Sequence, residues 1–446
     1  MNKQSNSRRN FMRLATAGAA GSLVTWNAES YARIAGSNDR VGVGVVGFSE
    51  RFQDALLPAV MKNASARNFE IVAVSDIWSR QRDLGADVIG KLTGKPVAKA
   101  RNNDELYDLK QVDVVIISTA DHQHALHGIE AIRAGRDAYI EKPLANTLAD
   151  ANAILKAAQE SKRVIQIGTQ RRSGSNYIRA RDYIRSGEFG EINMIELIRN
   201  ANQPGRWRRR ALVAALRQED TDWNRFLMNR TKDAFDPHKY IEFRLYWPYS
   251  SGIPCQWMVH HIDTVHFITG VTRPRNVVAN GGVYQWRDGR ENPDTLTAVF
   301  EYGPPNDPAK GFQVLYSSRM GNSAGGVRDM YYSAAGSFEA DTGNVSPEGG
   351  LTERYAKGKH KPTTLVEKSI LSGKNQGTEK DSRGEGDETL EAHLLNWMEC
   401  IRSRKAPAAG IRAGYDHSVA LCMTIEALHS GKRVAFDESR QSLVFS

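Results

Sequence analysis

The sequence predicts an α/β protein with two domains, the first of which is built on a parallel sheet. Two observations carry this prediction. Strand-like and helix-like segments alternate from residue 41 to residue 168, and each strand signal is a short, dense apolar run typical of strands buried on both faces. The chain has 446 residues, which is enough for two domains with separate cores.

The amino-acid composition indicates which kinds of partner are expected for this protein. A hydrophobic content of 40% and a charged content of 25% are typical of a globular protein. The net charge is +9, but no strongly basic helix or basic patch interleaved with aromatic residues dominates the chain, so nucleic acid is not an expected partner. No segment is apolar over a length that would make a stable membrane span.

The N-terminus carries an export pattern. Arg8-Arg9 precedes a modest apolar stretch at residues 14–24, and Ser30-Tyr31-Ala32 suits signal peptidase. Residues 1–32 therefore resemble a twin-arginine signal, which predicts an exported, periplasmic protein that folds and takes up its cofactor before it crosses the membrane. A basic tail with chance apolarity is the alternative interpretation.

The first strand, Val41–Val46, leads into Gly47-Phe48-Ser49-Glu50-Arg51-Phe52. This strand–turn–helix context matches the phosphate-binding turn of a dinucleotide fold, although only the first glycine of the fingerprint is present. Ser49 and Phe52 occupy the other two glycine positions. Glu50 would repel phosphate, and the neighbouring Arg51 is expected to offset its charge.

Two later strand ends add ligand-binding candidates. Asp76 follows the strand Phe69–Ser75 and suits the ribose hydroxyls of adenosine, which favours NAD over NADP; a solvated helix-capping Asp is the alternative. Thr119 and His124 lie in the polar loop that follows the strand signal at residues 112–117. A ligand-facing role and an incidental one are both open for these two residues.

Lys142 lies just beyond the strand Asp137–Ile140, in Glu141-Lys142-Pro143. Because ligands of open parallel sheets bind at the carboxyl ends of the strands, a lysine here points into the crevice. Pro143 disfavours helical backbone at Lys142 and stops the strand. An ordinary solvated lysine at a strand end is the alternative.

A second polar cluster spans residues 255–266. If this stretch is helical, Gln256, His260 and Asp263 share one face at i, i+4 and i+7. His260 is either a reactive group or a satisfied buried histidine. A metal site drawn from His260, Asp263 and His266 lacks a recognised spacing, so no metal is predicted.

The run at residues 206–210, Arg-Trp-Arg-Arg-Arg, suits either an anion or a solvated or subunit-facing surface.

Beyond residue 169 the strand signals are short and separated by turns, and two helices close the chain. The strand-like stretches are residues 194–198, 277–279, 296–300 and 312–316, and the helices are residues 388–404 and 413–430. The segment 344–387 is rich in Gly, Lys, Glu, Ser and Thr, which predicts a long surface excursion.

Taken in order, the motifs resemble the Gfo/Idh/MocA oxidoreductases, named for glucose-fructose oxidoreductase and inositol dehydrogenase. The motifs are the glycine turn, Asp76, Thr119 to His124, Glu141-Lys142-Pro143, Gly168-Thr169-Gln170-Arg171-Arg172 and His260-His261-Ile262-Asp263. The resemblance implies a Rossmann NAD-binding domain at residues 38–168. It implies a second α/β domain at residues 169–446 with an open, mostly antiparallel sheet, whose exposed face makes the contacts of a homo-oligomer.

The resemblance also implies roles for individual residues. His260 is implied as the proton acceptor, but the family pattern has an Asp four residues before it, where this chain has Gln256. The predicted catalytic residues are Lys142 and His260. The predicted cofactor-binding residues are Gly47, Phe48, Ser49, Asp76, Thr119, His124, Glu141 and Lys142. The predicted substrate-binding residues are Lys142, Arg171, Gln256, His260 and Asp263.

Three functions remain open at this point. The first is an NAD-dependent oxidoreductase that moves a hydride between a sugar or polyol carbon and nicotinamide. The second is a glycosidase that oxidises its sugar transiently, as some members of the resembled family do. The third is a carbohydrate-binding relative without redox activity, since the glycine turn and Gln256 both depart from the family pattern.

Overall fold

The computed structural model of the protein describes residues 40–304, 307, 309–350, 364–371 and 387–446. The predicted twin-arginine signal at residues 1–32 lies outside this described part of the chain. From Arg40 onward the described residues belong to one compact unit, within which two sheets can be distinguished.

Six strands form the first sheet. They are β1 Val41–Val46, β2 Phe69–Ser75, β3 Ala98–Ala100, β4 Val114–Ile117, β5 Asp137–Ile140 and β6 Ile165–Ile167. Their order is β3-β2-β1-β4-β5-β6, and every neighbouring pair is parallel. The order reverses between β2 and β4 around β1, which makes this a doubly wound Rossmann sheet with its crevice at the carboxyl ends of β1 and β4. The predicted parallel sheet is confirmed.

Helices cover this sheet as the apolar strands require, since β1 and β4 are buried along their whole length. They are α1 Leu57–Arg67, α2 Ser79–Thr93, α3 Asn103–Asp108, α4 His124–Arg133 and α5 Leu148–Gln159. Helix α1 is preceded by a π-helical turn, Phe52–Leu56, directly after the glycine turn.

The second sheet has ten strands. They are β7 Ile192–Asn200, β8 Pro274–Gly282, β9 Thr295–Tyr302, β10 Phe312–Arg319, β11 Val327–Ser333, β12 Gly336–Glu339, β13 Asn344–Pro347, β14 Lys368–Ser369, β15 Val434–Asp437 and β16 Ser442–Phe445. The order is β14-β13-β12-β11-β7-β10-β9-β8-β15-β16, and only β7 and β10 pair in parallel. The mostly antiparallel second sheet is therefore also confirmed. The segment predicted as a surface excursion contains β13 and β14 at one edge of this sheet, which corrects that prediction for residues 344–347 and 368–369.

One face of the second sheet is covered by helices. Along β9, Leu296, Ala298, Phe300 and Tyr302 are fully buried, whereas the residues between them are not. The remaining helices are α6 Ser175–Arg185, α7 Arg210–Ala215, α8 Trp223–Leu227, α9 Pro237–Ile241, α10 Val259–Thr269, α11 Glu388–Ser403 and α12 Ile411–Ser430. Helix α10 packs against α6 and α12, while α11 returns to α1 and α12 to α5. The last two helices therefore tie the second sheet's domain to the first.

Candidate active site

A cavity of about 380 Å³ lies at the carboxyl ends of the first sheet's strands. One wall comes from the first domain: the glycine turn, Asp76 and the loop after β4. The other wall comes from the segment between β7 and α10, with Trp207, Arg209 and Arg244. A cleft at the topological switch point of a doubly wound sheet is where such folds bind nucleotides.

The glycine turn is held by contacts of its own. Gly47 has a φ of +83°, and a Cβ built on it would approach Thr119 Cγ2 to 2.7 Å, so only glycine fits. Ser49 Oγ accepts a hydrogen bond from the Phe52 amide at 3.2 Å, as an N-cap residue does. Phe52, which replaces the last glycine of the fingerprint, is fully buried in the π-helical turn.

The charge of Glu50 is neutralised from the other domain. Glu50 Oε1 and Oε2 accept from Arg209 Nε and Nη2, each at 2.6 Å, in a fork that crosses the cavity from wall to wall. Arg51 turns away and pairs instead with Glu141, at 2.9 Å. The expectation that Arg51 offsets Glu50 is therefore wrong, because a stronger partner for Arg51 lies beyond β5.

Asp76 links β2 to the glycine turn. Its Oδ2 accepts from the Phe48 amide and its Oδ1 from the Trp78 amide, both at 2.9 Å. Burial raises the pKa of Asp76 to about 6, although the two amide bonds act in the opposite direction. The carboxylate therefore titrates close to the neutral range while it lines the cavity.

The chemistry of this wall fits a dinucleotide. Thr119 Oγ1 and Gln81 Oε1 line the cavity, are buried, and have no hydrogen-bond partner among the described residues. Buried polar atoms of this kind call for an external partner. Together with the Asp76 carboxylate and the close backbone approach at Gly47, they suit a ligand with ribose hydroxyls and phosphates.

Five of the predicted cofactor-binding residues, Gly47, Phe48, Ser49, Asp76 and Thr119, line this cavity. His124 does not present its ring to it. The His124 Nδ1 lies 2.8 Å from the Pro143 carbonyl oxygen, and Nε2 lies 3.2 Å from that of Thr119. Burial lowers the pKa of this imidazole, and a neutral ring can donate to only one of the two carbonyls. His124 thus braces the Lys142 loop, which corrects its interpretation as a cofactor contact.

Glu141 also lies in the interior rather than in the cavity wall, and it is 3% exposed. Burial alone would raise the pKa of Glu141, but Arg51 and Lys142 outweigh that effect and hold it below its usual range. The carboxylate therefore stays ionised beside Lys142. Its assignment as a direct cofactor contact needs the same correction, because its charge is taken up by these two cations.

The Lys142 ammonium is bound to the backbone of the second domain. Its Nζ donates to the carbonyl oxygens of Gln256 at 3.0 Å and Cys255 at 3.4 Å. Both carbonyls belong to a π-helical turn, Pro254–Met258, that precedes α10. Such turns disrupt the regular ladder of backbone bonds and are frequent at functional sites. An ammonium has three donors, so one remains for a substrate oxygen.

Burial lowers the pKa of Lys142 to about 8, although Asp121 and Glu141 act in the opposite direction. Arg244 and Arg51 lower this pKa further. The lysine is therefore mostly protonated at neutral pH and titrates just above it. A group that changes charge near working pH is a candidate for proton chemistry.

The side chain of Gln256 forms hydrogen bonds with residues of both domains. Its Nε2 donates to Asp121 Oδ2 at 2.6 Å, and its Oε1 accepts from Arg244 Nε at 3.0 Å. Both polar atoms of the amide are thus taken up by partners other than His260. His260 lies one helical turn further on, about 6 Å along the axis, and is partly exposed.

Arg171 and Asp263 occupy the core. Arg171 is 5% exposed and pairs with Asp329 at 3.0 Å, while Asp263 is 1% exposed and pairs with Arg172 at 2.8 Å. Breaking such buried pairs to meet a substrate would leave a buried charge uncompensated. The interpretation of these two residues as substrate contacts therefore needs correction. The polar face predicted from 256 to 263 ends at His260.

Sequence reasoning missed three residues at this site. Asp121 lies in the loop that was considered only for Thr119 and the histidines, yet its position at the end of β4 is itself a signal. Arg209 was one of a run of four arginines with no sign of its partner Glu50. Arg244 carries no signal of its own in the sequence, because its contact with Gln256 spans 12 residues and that with Lys142 joins the two domains.

Within the described ranges, no three His, Cys, Asp or Glu side chains gather in a way that could hold a metal ion. None of the helices described above combines the length and apolar character needed to cross a bilayer.

Residues 41–169 match the model of the GFO_IDH_MocA family, whose description is "Oxidoreductase family, NAD-binding Rossmann fold". This range contains the whole parallel sheet and the Lys142 loop. The first domain of this chain is therefore similar to the NAD-binding Rossmann domain of the Gfo/Idh/MocA oxidoreductases, and its cofactor is NAD.

Particular relatives are similar over parts of their length. Inositol 2-dehydrogenase of Salmonella typhimurium is 35% identical over 130 residues, which are 28% of this chain and 37% of that protein. A "Glycosyl hydrolase family 109 protein" of Shewanella baltica is 28% identical over 206 residues, 42% of this chain and 44% of that protein. The chain thus matches less than half the length of these curated relatives.

The two-domain fold is found in solved structures. The WlbA dehydrogenase from Bordetella pertussis, in complex with NADH and UDP-GlcNAcA, superposes with a TM-score of 0.64 at 15% identity, covering 89% of this chain and 99% of that one. At this identity the likeness shows the two-domain fold alone.

Proposed function

We propose that this protein is an NAD-dependent oxidoreductase that moves a hydride between a hydroxyl-bearing carbon of a sugar or polyol and nicotinamide. The observation that supports this most is the position of Lys142. It lies at the end of β5 in the NAD-binding domain, and its ammonium is held by carbonyls of the helical segment that also carries His260.

Each residue has a defined task in this proposal. Gly47, Ser49, Asp76 and Thr119 would hold NAD, which when bound supplies the hydride acceptor or donor. Lys142 donates its remaining N–H to the substrate oxygen and stabilises negative charge there. His260 takes the hydroxyl proton as general base. Trp207 and Arg244 line the opposite wall of the cavity that would hold NAD.

The test uses the purified full-length protein, NAD⁺, and myo-inositol and D-glucose as probes, with absorbance at 340 nm as the readout. Lys142→Ala and His260→Ala should each lower kcat by about 10²- to 10⁴-fold while calorimetric NAD affinity stays unchanged. Lys91→Ala and His429→Ala, which change exposed lysine and histidine side chains, are the matched controls. A Lys142→Ala variant as active as Lys91→Ala would refute the proposed role.

A redox-neutral glycosidase is the second candidate, and the similarity to a glycosyl hydrolase family 109 protein supports it. A panel of p-nitrophenyl glycosides distinguishes the two functions. Nitrophenol release without net NADH, lost in Lys142→Ala, would favour the glycosidase over the dehydrogenase. If NAD fails to bind at all, the third possibility, a carbohydrate-binding protein without redox activity, gains support.

We further propose export by the twin-arginine route and assembly into a homo-oligomer through the open face of the second sheet. The export proposal is supported by Arg8-Arg9 and the apolar stretch that follows. Replacing both arginines with lysine should leave the protein in the cytoplasm, and unchanged periplasmic delivery would contradict this. Analytical ultracentrifugation tests the oligomer, and a monomer at micromolar concentration would contradict it.

A further inference from the structure

We propose that Asp121 is a positioning residue for Lys142, supplying from the first domain the carboxylate that the second-domain helix lacks at position 256. The inference rests on the proposed function, because it takes Lys142 to be the group that acts on the substrate oxygen. It assigns a role to a side chain that belongs neither to the glycine turn nor to the Lys142–His260 pair.

Two short hydrogen bonds hold the Asp121 carboxylate. Asp121, which is 3% exposed, accepts from Ser250 Oγ and from Gln256 Nε2, both on Oδ2 and both at 2.6 Å. The backbone carbonyl of Gln256 in turn accepts from Lys142 Nζ at 3.0 Å. Gln256 therefore contacts the carboxylate with its side chain and the ammonium with its backbone. The loop after β4, the end of β5 and the π-helical turn meet at this one residue.

This contact also explains why an amide occupies position 256. A carboxylate at the end of the Gln256 side chain would lie at hydrogen-bond distance from Asp121 Oδ2. Two carboxylates this close cannot both stay ionised, so one would take up a proton. An amide at position 256 avoids the repulsion and donates to Asp121 instead. The contact between Asp121 and position 256 thus holds a single carboxylate, on the opposite domain from that of the resembled pattern.

Lys142 is surrounded by charged and titratable groups from every element packed against it. The first domain contributes Asp121, His124, Glu141 and Arg51, and the second contributes Arg244 and Cys255. Glu141 is already paired with Arg51 at 2.9 Å. The hydrogen-bond partners of Asp121 among the described residues are both neutral donors, so its charge is left to act on the two nearby cations, Lys142 and Arg244. Asp121 therefore keeps Lys142 protonated despite its burial.

The test measures the protonation of Lys142 directly and needs no substrate. The full-length protein is labelled competitively with acetic anhydride between pH 6 and 11, and mass spectrometry follows the peptide that contains Lys142. In the wild type the lysine should titrate near pH 8. Asp121→Asn, which keeps the side-chain shape, should lower that midpoint by about one pH unit or more, since an adjacent opposite charge is removed.

Two further variants distinguish the effect of the Asp121 charge from the effect of its hydrogen bonds. Ser250→Ala removes one hydrogen bond to Asp121 but no charge, so the Lys142 midpoint should stay where it is. In the double variant Asp121→Asn with Gln256→Glu, the carboxylate moves across the contact while the number of donors and acceptors is kept. The double variant should return the midpoint to near the wild-type value. If Asp121 had only a structural role, Asp121→Asn would not lower the Lys142 midpoint and the double variant would not restore it.

An Asp121→Asn protein that binds NAD normally but leaves the Lys142 midpoint unchanged would overturn the inference. So would a midpoint that falls equally in Ser250→Ala. Either result leaves the proposed oxidoreductase standing, because that proposal is judged by NADH formation and by the Lys142→Ala variant. Conversely, a protein that forms no NADH but shows the drop and the rescue would refute the proposed reaction and retain Asp121 as the group that sets the charge of Lys142.

Discussion

Two regions of this protein depart from the pattern of the family that it resembles, and the fold accommodates them in different ways. At the glycine turn, Ser49 and Phe52 replace glycines, and the adjustment is mostly local: a side-chain cap and a π-helical turn. At the Lys142 centre, Gln256 stands where the resembled pattern has an Asp, and its amide donates to Asp121 of the other domain. The residues that depart from the pattern at the turn are thus held by contacts within the loop, whereas Gln256 is held by a carboxylate from the other domain.

This contrast divides the expected effects of mutation into two classes. Changes at the turn should alter the affinity for NAD and leave the titration of Lys142 in place. Changes at the Gln256 contact should alter that titration and leave the affinity for NAD in place.

Gly47→Ala should weaken NAD binding at least tenfold and also destabilise the fold. The added methyl meets Thr119 Cγ2, and a non-glycine residue in the left-handed region costs about 1–2 kcal/mol. The matched control is Gly187→Ala, where φ is +82° but a Cβ would meet nothing within 4 Å. Both variants should melt at lower temperature, but calorimetry should find weaker NAD binding only for Gly47→Ala. Equal NAD affinities for the two variants would contradict the role of the turn.

The affinity for NAD should fall by about tenfold as the pH drops from 7.5 to 5. The pKa of Asp76 is raised to about 6, so the carboxylate that would accept ribose hydrogen bonds is ionised above that pH and protonated below it. Asp76→Asn should bind more weakly at pH 7.5 and lose the pH dependence. Calorimetric titrations at several pH values measure both effects, and a wild-type affinity that is flat from pH 5 to 7.5 would exclude this role for Asp76.

Arg209→Gln should raise the dissociation rate of NAD by about two- to fivefold. The Arg209–Glu50 pair crosses the cavity but is partly exposed, and pairs of that kind are worth about 0.2–1 kcal/mol. The loss should shrink as ionic strength rises, because salt already screens the wild-type pair. Arg210→Gln removes the same charge from the exposed neighbouring position and should leave the rate unchanged. Stopped-flow displacement of NADH fluorescence would detect a difference of this size.

The fold was predictable because its signals are local. The apolar runs of β1, β2 and β5 are each followed by a glycine or an acidic residue. The predicted boundaries of these three strands therefore agree with the observed ones. The edge strands β13 and β14 were missed because they are short and lie in a polar segment with few apolar residues. Pairing at a sheet edge depends on the neighbouring strand, which local composition does not encode.

The site was predictable only in part, for the same reason. Lys142 was located correctly at its strand end because Pro143 and the preceding strand mark that place in the sequence. Arg171 and Asp263 were misinterpreted because their partners, Asp329 and Arg172, lie 158 and 91 residues away in the chain. When the ion-pair partner of a charged residue is unknown, the residue is easily interpreted as a contact for a ligand. In the folded chain their burial requires that they be paired with one another.

The role of the first domain as an NAD site is tested most directly by identifying the nucleotide that the protein carries and binds. Purified protein is denatured and its supernatant analysed by mass spectrometry, and the emptied protein is then titrated with NAD and NADP by calorimetry. We expect release of NAD, not NADP, in near-equal amount to the protein, and preferential rebinding of NAD. A protein that releases no nucleotide and binds neither form would contradict this role.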